Sequence, residues 1–133
     1  MPMEIAVLVW ACVLAVIHVL AAAQVKTRQY GARWNVGARD EDLPPPAPLV
    51  GRLVRAQANY FESFPVVAAL ILTDGMLGLF SGWTAAGALI WLGARIVYLP
   101  LYALGVPVVR TIAYLVSLAG IILLLWPALR LAI

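Results

Sequence analysis

The sequence predicts an all-α integral membrane protein, a bundle of four antiparallel transmembrane helices. Of its 133 residues, 65% are hydrophobic and only 11% are charged, which is too apolar for an ordinary soluble domain. The apolar residues form runs long enough to cross a hydrocarbon core of about 30 Å. We expect spans at about 4–24, 49–73, 83–103 and 108–129 in a single domain covering residues 1–133.

The first run, Ile5 to Ala23, is almost entirely apolar and is interrupted by His18. Met1 to Glu4 has no basic residue, so we expect this helix to remain rather than to be cleaved as a signal. The chain has one histidine and one cysteine, Cys12. His18 is therefore expected to be packed or bonded to water, and we predict no metal site and no disulfide within one chain.

The polar segment 25–48 is predicted to be a loop. It holds four basic residues and ends in three consecutive prolines. Under the positive-inside rule this loop and the short connection 103–108 face the cytoplasm, and both termini lie outside. Most of the basic residues lie between or just inside apolar runs, so the net charge of +3 indicates membrane topology and not nucleic-acid binding.

The second long helix is predicted to begin near Pro48 with a polar face. Arg52, Arg55, Asn59 and Glu62 fall within an arc of roughly 80° on a helix. Glu62 lies about 15 Å further along the axis than Arg52, which places it at membrane depth. Ionisable residues at that depth need a partner and are candidates for a functional site.

The third helix carries Arg95, Tyr98 and Tyr102 on one face, with Pro100 predicted to kink it. Arg110 follows a tight turn and opens the fourth helix. Asp74 to Gly82 is predicted to form an outer turn.

In this topology one end of the bundle gathers most of the polar side chains. We predict that Glu62 and Arg95 form an ion pair, because both lie roughly 12 to 15 Å inward. Three cations, Arg52, Arg55 and Arg110, then surround a pocket edged by tyrosine hydroxyls. Arginines suit carboxylates, so the expected ligands are a small anion with several carboxylates and an apolar second substrate from the lipid. The alternative for Arg52 is contact with lipid phosphate.

These residues resemble a known family. The run Arg52-Leu-Val-Arg55-Ala-Gln57-Ala-Asn59-Tyr-Phe-Glu62-Ser-Phe-Pro65 and the run Arg95-Ile-Val-Tyr98-Leu-Pro-Leu-Tyr102 are similar to those of MAPEG proteins, the membrane-associated proteins in eicosanoid and glutathione metabolism. The length and the four-span layout are similar too, so the resemblance covers nearly the whole chain. The segment Arg33 to Glu41 resembles bacterial members.

The resemblance implies a homotrimer in a membrane, with glutathione bound between subunits at the cytoplasmic side. For a bacterial-type member, the expected membrane is the inner membrane. It implies a transferase or peroxidase acting on lipophilic electrophiles or lipid hydroperoxides. The residues implied for glutathione are Arg52, Arg55, Gln57, Asn59, Glu62, Arg95, Tyr98 and Tyr102. Arg110 is implied to stabilise the glutathione thiolate, although the turn before it is one residue longer than in eukaryotic members.

Other functions stay open on the sequence. The family also includes a member that binds lipid without using glutathione, so a non-catalytic lipid-binding or scaffold protein is the alternative. We favour an enzyme because the glutathione-type polar set is retained. A small multidrug exporter fits less well, since its membrane carboxylate lies in the first span, where this chain has only His18 and, at the very end, Glu4. Whether glutathione or another thiol is used, and which lipophilic substrate, stays open.

Overall fold

The computed structural model describes residues 1–133 as an all-helical chain. Four long helices, α1 (Met3–Tyr30), α3 (Pro48–Met76), α4 (Gly82–Leu104) and α5 (Pro107–Ala132), are joined by a short helix α2 (Ala32–Val36) and by turns. Helices α1, α4 and α5 are each long and apolar enough to cross a membrane. Helix α3, with 29 residues, is long enough, but the charged residues in its first half and Asp74 near its end make it less apolar than the other three. Three of the four predicted spans thus have the required length and hydropathy, and the fourth stays a prediction.

Two predicted boundaries are wrong. The first helix continues through the start of the predicted loop to Tyr30, where Gly31 ends it with φ +94°. Its last turns are polar but helix-compatible, and Thr27 bonds back to the carbonyl of Ala23 at 2.9 Å. Asp74, expected in a turn, is still helical and fully buried. These residues were predicted to lie in a loop or a turn because their side chains are polar. The polarity of a side chain indicates its surroundings and does not determine the conformation of the backbone.

Long helices that follow each other in the chain run antiparallel, as predicted. At one end, named here the loop end, Arg52 near the start of α3 donates from Nη1 to the carbonyl oxygen of Ala103 near the end of α4 at 2.9 Å. At the opposite end, Thr84 of α4 donates to a carboxylate oxygen of Glu4 in α1. Helices α3 and α4 continue past Pro65 and Pro100.

Consecutive long helices contact each other, but the bundle is not a simple ring. The first helix packs on α3 and α4, and α5 packs on α4 and α3, while α1 and α5 do not touch. Helices α3 and α4 therefore form the centre. The α4–α5 contact is the most extensive, and in it Gly87 and Gly120 bring the two backbones together. Small residues allow this approach between membrane helices.

The core confirms the expected role of His18. Its ring stacks on Tyr60 with centroids 4.4 Å apart, and its Nδ1 lies 2.9 Å from the carbonyl oxygen of Leu14. The Tyr60 hydroxyl donates to the carbonyl oxygen of Ala11 at 2.6 Å. His18 is thus a packed core histidine that helps join α1 to α3.

Candidate functional site

The loop end of the bundle contains a cavity of about 240 Å³, named here the tyrosine pocket. Its wall is built by α3, α4 and the first turns of α5. It is lined by Asn59, Tyr98, Tyr102, Arg110, Thr111 and Tyr114. The pocket combines three phenol groups, a threonine hydroxyl, an amide and one guanidinium. The Arg110 guanidinium is the one charged group among them, and the others donate and accept hydrogen bonds as neutral groups.

A second guanidinium, that of Arg95, lies behind this wall and is only 1% exposed. Its Nη1 donates to Oδ1 of Asn59 at 2.6 Å, and its Cζ lies 5.4 Å and 5.3 Å from the ring centroids of Tyr98 and Tyr114. Cations are attracted to aromatic faces at such distances. Nε and Nη2 of Arg95 are buried without a hydrogen-bond partner. Arg95 therefore contacts three lining residues, Asn59, Tyr98 and Tyr114, and two of its three side-chain nitrogens have no hydrogen-bond acceptor.

The predicted direct ion pair between Glu62 and Arg95 is wrong. Asn59 lies between them, since it accepts from Arg95 and donates from Nδ2 to Oε2 of Glu62 at 3.4 Å. Glu62 itself is exposed in the single chain. The prediction matched the depth of two residues along their helices, but depth does not determine which side chain of a helix faces its neighbour.

The predicted face of α4 is confirmed, and the start of α5 completes it. Tyr98 and Tyr102 lie side by side with ring centroids 5.3 Å apart. The guanidinium carbon of Arg110 lies 4.6 Å from the ring centroid of Tyr102. Gly105, with φ +75°, ends α4, and Pro107 opens α5, so the short turn returns the chain directly over the tyrosines.

Thr111 and Tyr114 line the pocket but were not among the predicted binding residues. Both lie on the first turns of α5, at one and four residues beyond Arg110. The spacing of Arg110 and Tyr114 places them on one helix face, and this pattern in the sequence could have identified Tyr114. Thr111 offers no comparable pattern.

Three predicted residues of α3 lie elsewhere in the single chain. Arg52 binds the backbone, donating from Nε to Pro48 at 3.2 Å as well as from Nη1 to Ala103. Arg55 is exposed and faces a separate recess formed with the segment before α3. Gln57 is half-buried and lines no cavity. Of the three cations expected around one pocket, only Arg110 lines it, since the Arg52 side chain bonds to the backbone at the end of α4 and the Arg55 side chain lines the recess.

The model of the MAPEG family matches residues 7–130, nearly the whole chain. The chain belongs to the MAPEG family. No curated protein matches it. The family includes glutathione-dependent transferases and peroxidases.

Within this MAPEG chain, the residues predicted to bind glutathione divide between two places. Asn59, Tyr98 and Tyr102 line the tyrosine pocket, with Arg95 behind them. Arg55 and Glu62 are exposed on α3. The predicted residues therefore form one wall of the pocket and a separate pair of charged groups that are exposed in the single chain.

Proposed function

We propose that the protein is a membrane enzyme that joins glutathione to lipophilic electrophiles or reduces lipid hydroperoxides with it. The observation that supports this most strongly is the convergence of Asn59, Tyr98, Tyr102 and Arg110 on one cavity in a MAPEG chain. An amide, two phenols and a guanidinium are suitable donors for the carboxylates and the sulfur of a tripeptide thiol.

We further propose that the protein spans the membrane with four helices and works as a homotrimer. The tyrosine pocket, at about 240 Å³, is smaller than the roughly 300 to 1,000 Å³ of typical ligand sites. Arg55 and Glu62 would face lipid in a lone chain, which is costly for charged groups. A neighbouring subunit over this face would enlarge the site and cover both charges. Arg52, Arg55, Gln57 and Glu62 then act at the subunit boundary.

Arg110 is the proposed catalytic residue. A free thiol has a pKa of about 8.5, so only a small fraction is thiolate at neutral pH. A guanidinium beside the sulfur favours the thiolate, and the N-terminal end of α5 adds a positive dipole. In the transfer reaction the thiolate sulfur bonds to the electrophilic carbon, and the thiol proton leaves to water or to the displaced group. In the peroxidase reaction two thiols reduce the peroxide to an alcohol and water and become a disulfide.

The experiment is glutathione titration of the detergent-solubilised protein, following thiolate absorbance against pH. We expect the thiol of bound glutathione to ionise at lower pH in the parent than in Arg110→Ala. Arg130→Ala, which removes a cation from the far end of α5, is the matched control. Absence of glutathione binding would reject the proposal, and an unchanged thiol pKa in Arg110→Ala would reject the role of that residue.

A second function is favoured by one surface. A groove of about 450 Å³ between α1 and α4 is lined only by hydrophobic residues: Trp10, Val13, Leu14, Ile17, Leu92 and Ile96. It suits an acyl chain and would serve a non-catalytic lipid-binding or scaffold protein as well as an enzyme with a lipophilic substrate. Binding of a fluorescent fatty acid without any glutathione binding would favour the non-catalytic function.

A further inference from the structure

Two carboxyl groups are buried at the end of the bundle opposite the loop end. Glu4 of α1 is 3% exposed, and Asp74 of α3 is 0% exposed. The hydroxyl of Thr84 in α4 donates to one carboxylate oxygen of Glu4, whereas neither oxygen of Asp74 has a hydrogen-bond partner. Glu4 is the charged group that acts on Asp74. These two residues, named here the acid pair, therefore lie where α1, α3 and α4 meet.

The turn between α3 and α4 shields this position from water. The carbonyl oxygen of Asp74 accepts from the backbone N–H of Leu79 at 2.8 Å, and Gly78 reverses the chain with φ +67°. The ring of Phe80 then lies on the last turn of α3, since a Cβ added at Gly75 would meet its Cζ at 3.0 Å. Asp74 is thus covered by the residues that follow it.

No positive group compensates the acid pair. The basic groups at this end are Arg130, in the last turn of α5, and the amino terminus at Met1, and both residues are exposed. Where α5 faces the end of α3, it presents apolar side chains such as Leu125 and Leu129. Two buried carboxylates without a cation repel each other, and each carries the cost of leaving water. We therefore expect the acid pair to hold a single negative charge.

The helix ends determine which of the two residues is charged. Glu4 lies in the first turn of α1 and accepts from Thr84, the third residue of α4, so its carboxylate lies near two helix N-termini. Asp74 lies in the last turn of α3. The N-terminal end of a helix stabilises an anion, and the C-terminal end destabilises it. The negative charge is thus favoured on Glu4 and the neutral form on Asp74.

We propose that the acid pair is a proton-binding site, with one proton held on Asp74 beside the Glu4 carboxylate. A metal ion fits less well, because a cation such as calcium takes about six to eight oxygen ligands. Neither residue lines a cavity that could admit an ion. A proton needs no cavity, and it converts the Asp74 carboxyl group from an acceptor into a donor.

Proton binding makes the junction of α1, α3 and α4 dependent on pH. In an unfolded chain an aspartic acid releases its proton above about pH 4, so above this pH the folded chain holds one proton more. Stability then falls as the pH rises, by up to about tenfold in the ratio of folded to unfolded protein for each pH unit. Low pH therefore strengthens the end of the bundle that lies away from the tyrosine pocket.

The first test is thermal unfolding of the full chain in detergent across a pH series. We expect the stability of the parent to fall more steeply with rising pH than that of Asp74→Asn, which cannot bind the proton. Asp42→Asn, which removes an exposed carboxylate, is the matched control and should retain the pH dependence of the parent. The same pH dependence in the parent and in Asp74→Asn would overturn the proposal.

The second test detects the proton directly by infrared spectroscopy in a detergent without ester groups. We expect the carbonyl band of a protonated carboxyl group at neutral pH in the parent and in Asp42→Asn, and its absence in Asp74→Asn. Glu4→Gln keeps an acceptor for Thr84 but removes the neighbouring charge, so this band should disappear at a lower pH than in the parent. A parent without the band, or an unchanged pH in Glu4→Gln, would contradict the proposal.

The third test compares sodium chloride with choline chloride at equal ionic strength. We expect the two salts to give the same unfolding temperature. Stabilisation by sodium that is lost in Asp74→Asn would overturn the proposal and assign the acid pair to a metal cation. None of these measurements involves glutathione, so failure of this proposal is distinguishable from failure of the proposed enzyme.

Discussion

Nη1 of Arg95 donates a hydrogen bond to Oδ1 of Asn59 over 2.6 Å, and this contact joins α4 to α3 behind the tyrosine pocket. The Asn59 amide also donates to Glu62, so a neutral side chain connects a buried cation to an exposed carboxylate. An amide can do this because it has an acceptor on one side and donors on the other. Asn59 is therefore both part of the pocket wall and the hydrogen-bond partner of Arg95.

The first prediction concerns this amide. Asn59→Leu keeps a similar shape but removes the acceptor for the buried Arg95 guanidinium. We expect it to lower the free energy of unfolding by about 1 to 3 kcal/mol, the usual range when a buried polar group loses its partner. Thermal unfolding in detergent would measure it.

Glu62→Gln is the matched control for that variant. It removes the carboxylate charge at a position that Arg95 does not contact, so we expect a smaller loss of stability than with Asn59→Leu. A larger loss in Glu62→Gln would restore the direct ion pair that the sequence predicted.

The second prediction concerns the crossing of α4 and α5. A Cβ added at Gly120 would lie 2.6 Å from the carbonyl oxygen of Gly87 and 2.7 Å from the backbone nitrogen of Trp91. Both are backbone atoms that cannot rotate away, so Gly120→Ala should cost about 1 to 3 kcal/mol through overpacking. Gly93→Ala on α4, which meets nothing within 4 Å, should be neutral or slightly stabilising. Similar stability of the two variants would show that the helices are further apart.

The third prediction concerns the acidic groups at the end opposite the loop end. Asp74 is 0% exposed and neither of its carboxylate oxygens has a partner, and Glu4 is 3% exposed. A buried unpaired charge destabilises a fold, so Asp74→Asn should raise the free energy of unfolding at pH 8 by about 1 to 3 kcal/mol. Asp42→Asn, at an exposed position, should have no effect. Loss of stability in Asp74→Asn would mean that the carboxylate binds a partner that this chain alone does not supply.

Much of the fold and part of the site could be predicted because they depend on local patterns. Hydropathy runs identified the long helices, and spacings of three and four residues placed Tyr98 and Tyr102 on one face. The family followed from motifs contained within single helices. The helical continuation of α1 to Tyr30 was missed because polar residues continue a helix as readily as they form a loop.

The amino-acid sequence by itself determined the four long helices, the polar face of α3 and the family, since all three depend on residues close together in the chain, but it did not predict the short helix α2 inside the expected loop. Only the tertiary structure decided that Asn59 and not Glu62 meets Arg95, that Arg55 faces the recess with Lys26, and that α3 and α4 form the centre. These features depend on how each helix is rotated about its axis and which helix it crosses. One residue turns a helix by about 100°, so a small change in rotation exchanges the side chain that faces a neighbour for one that does not.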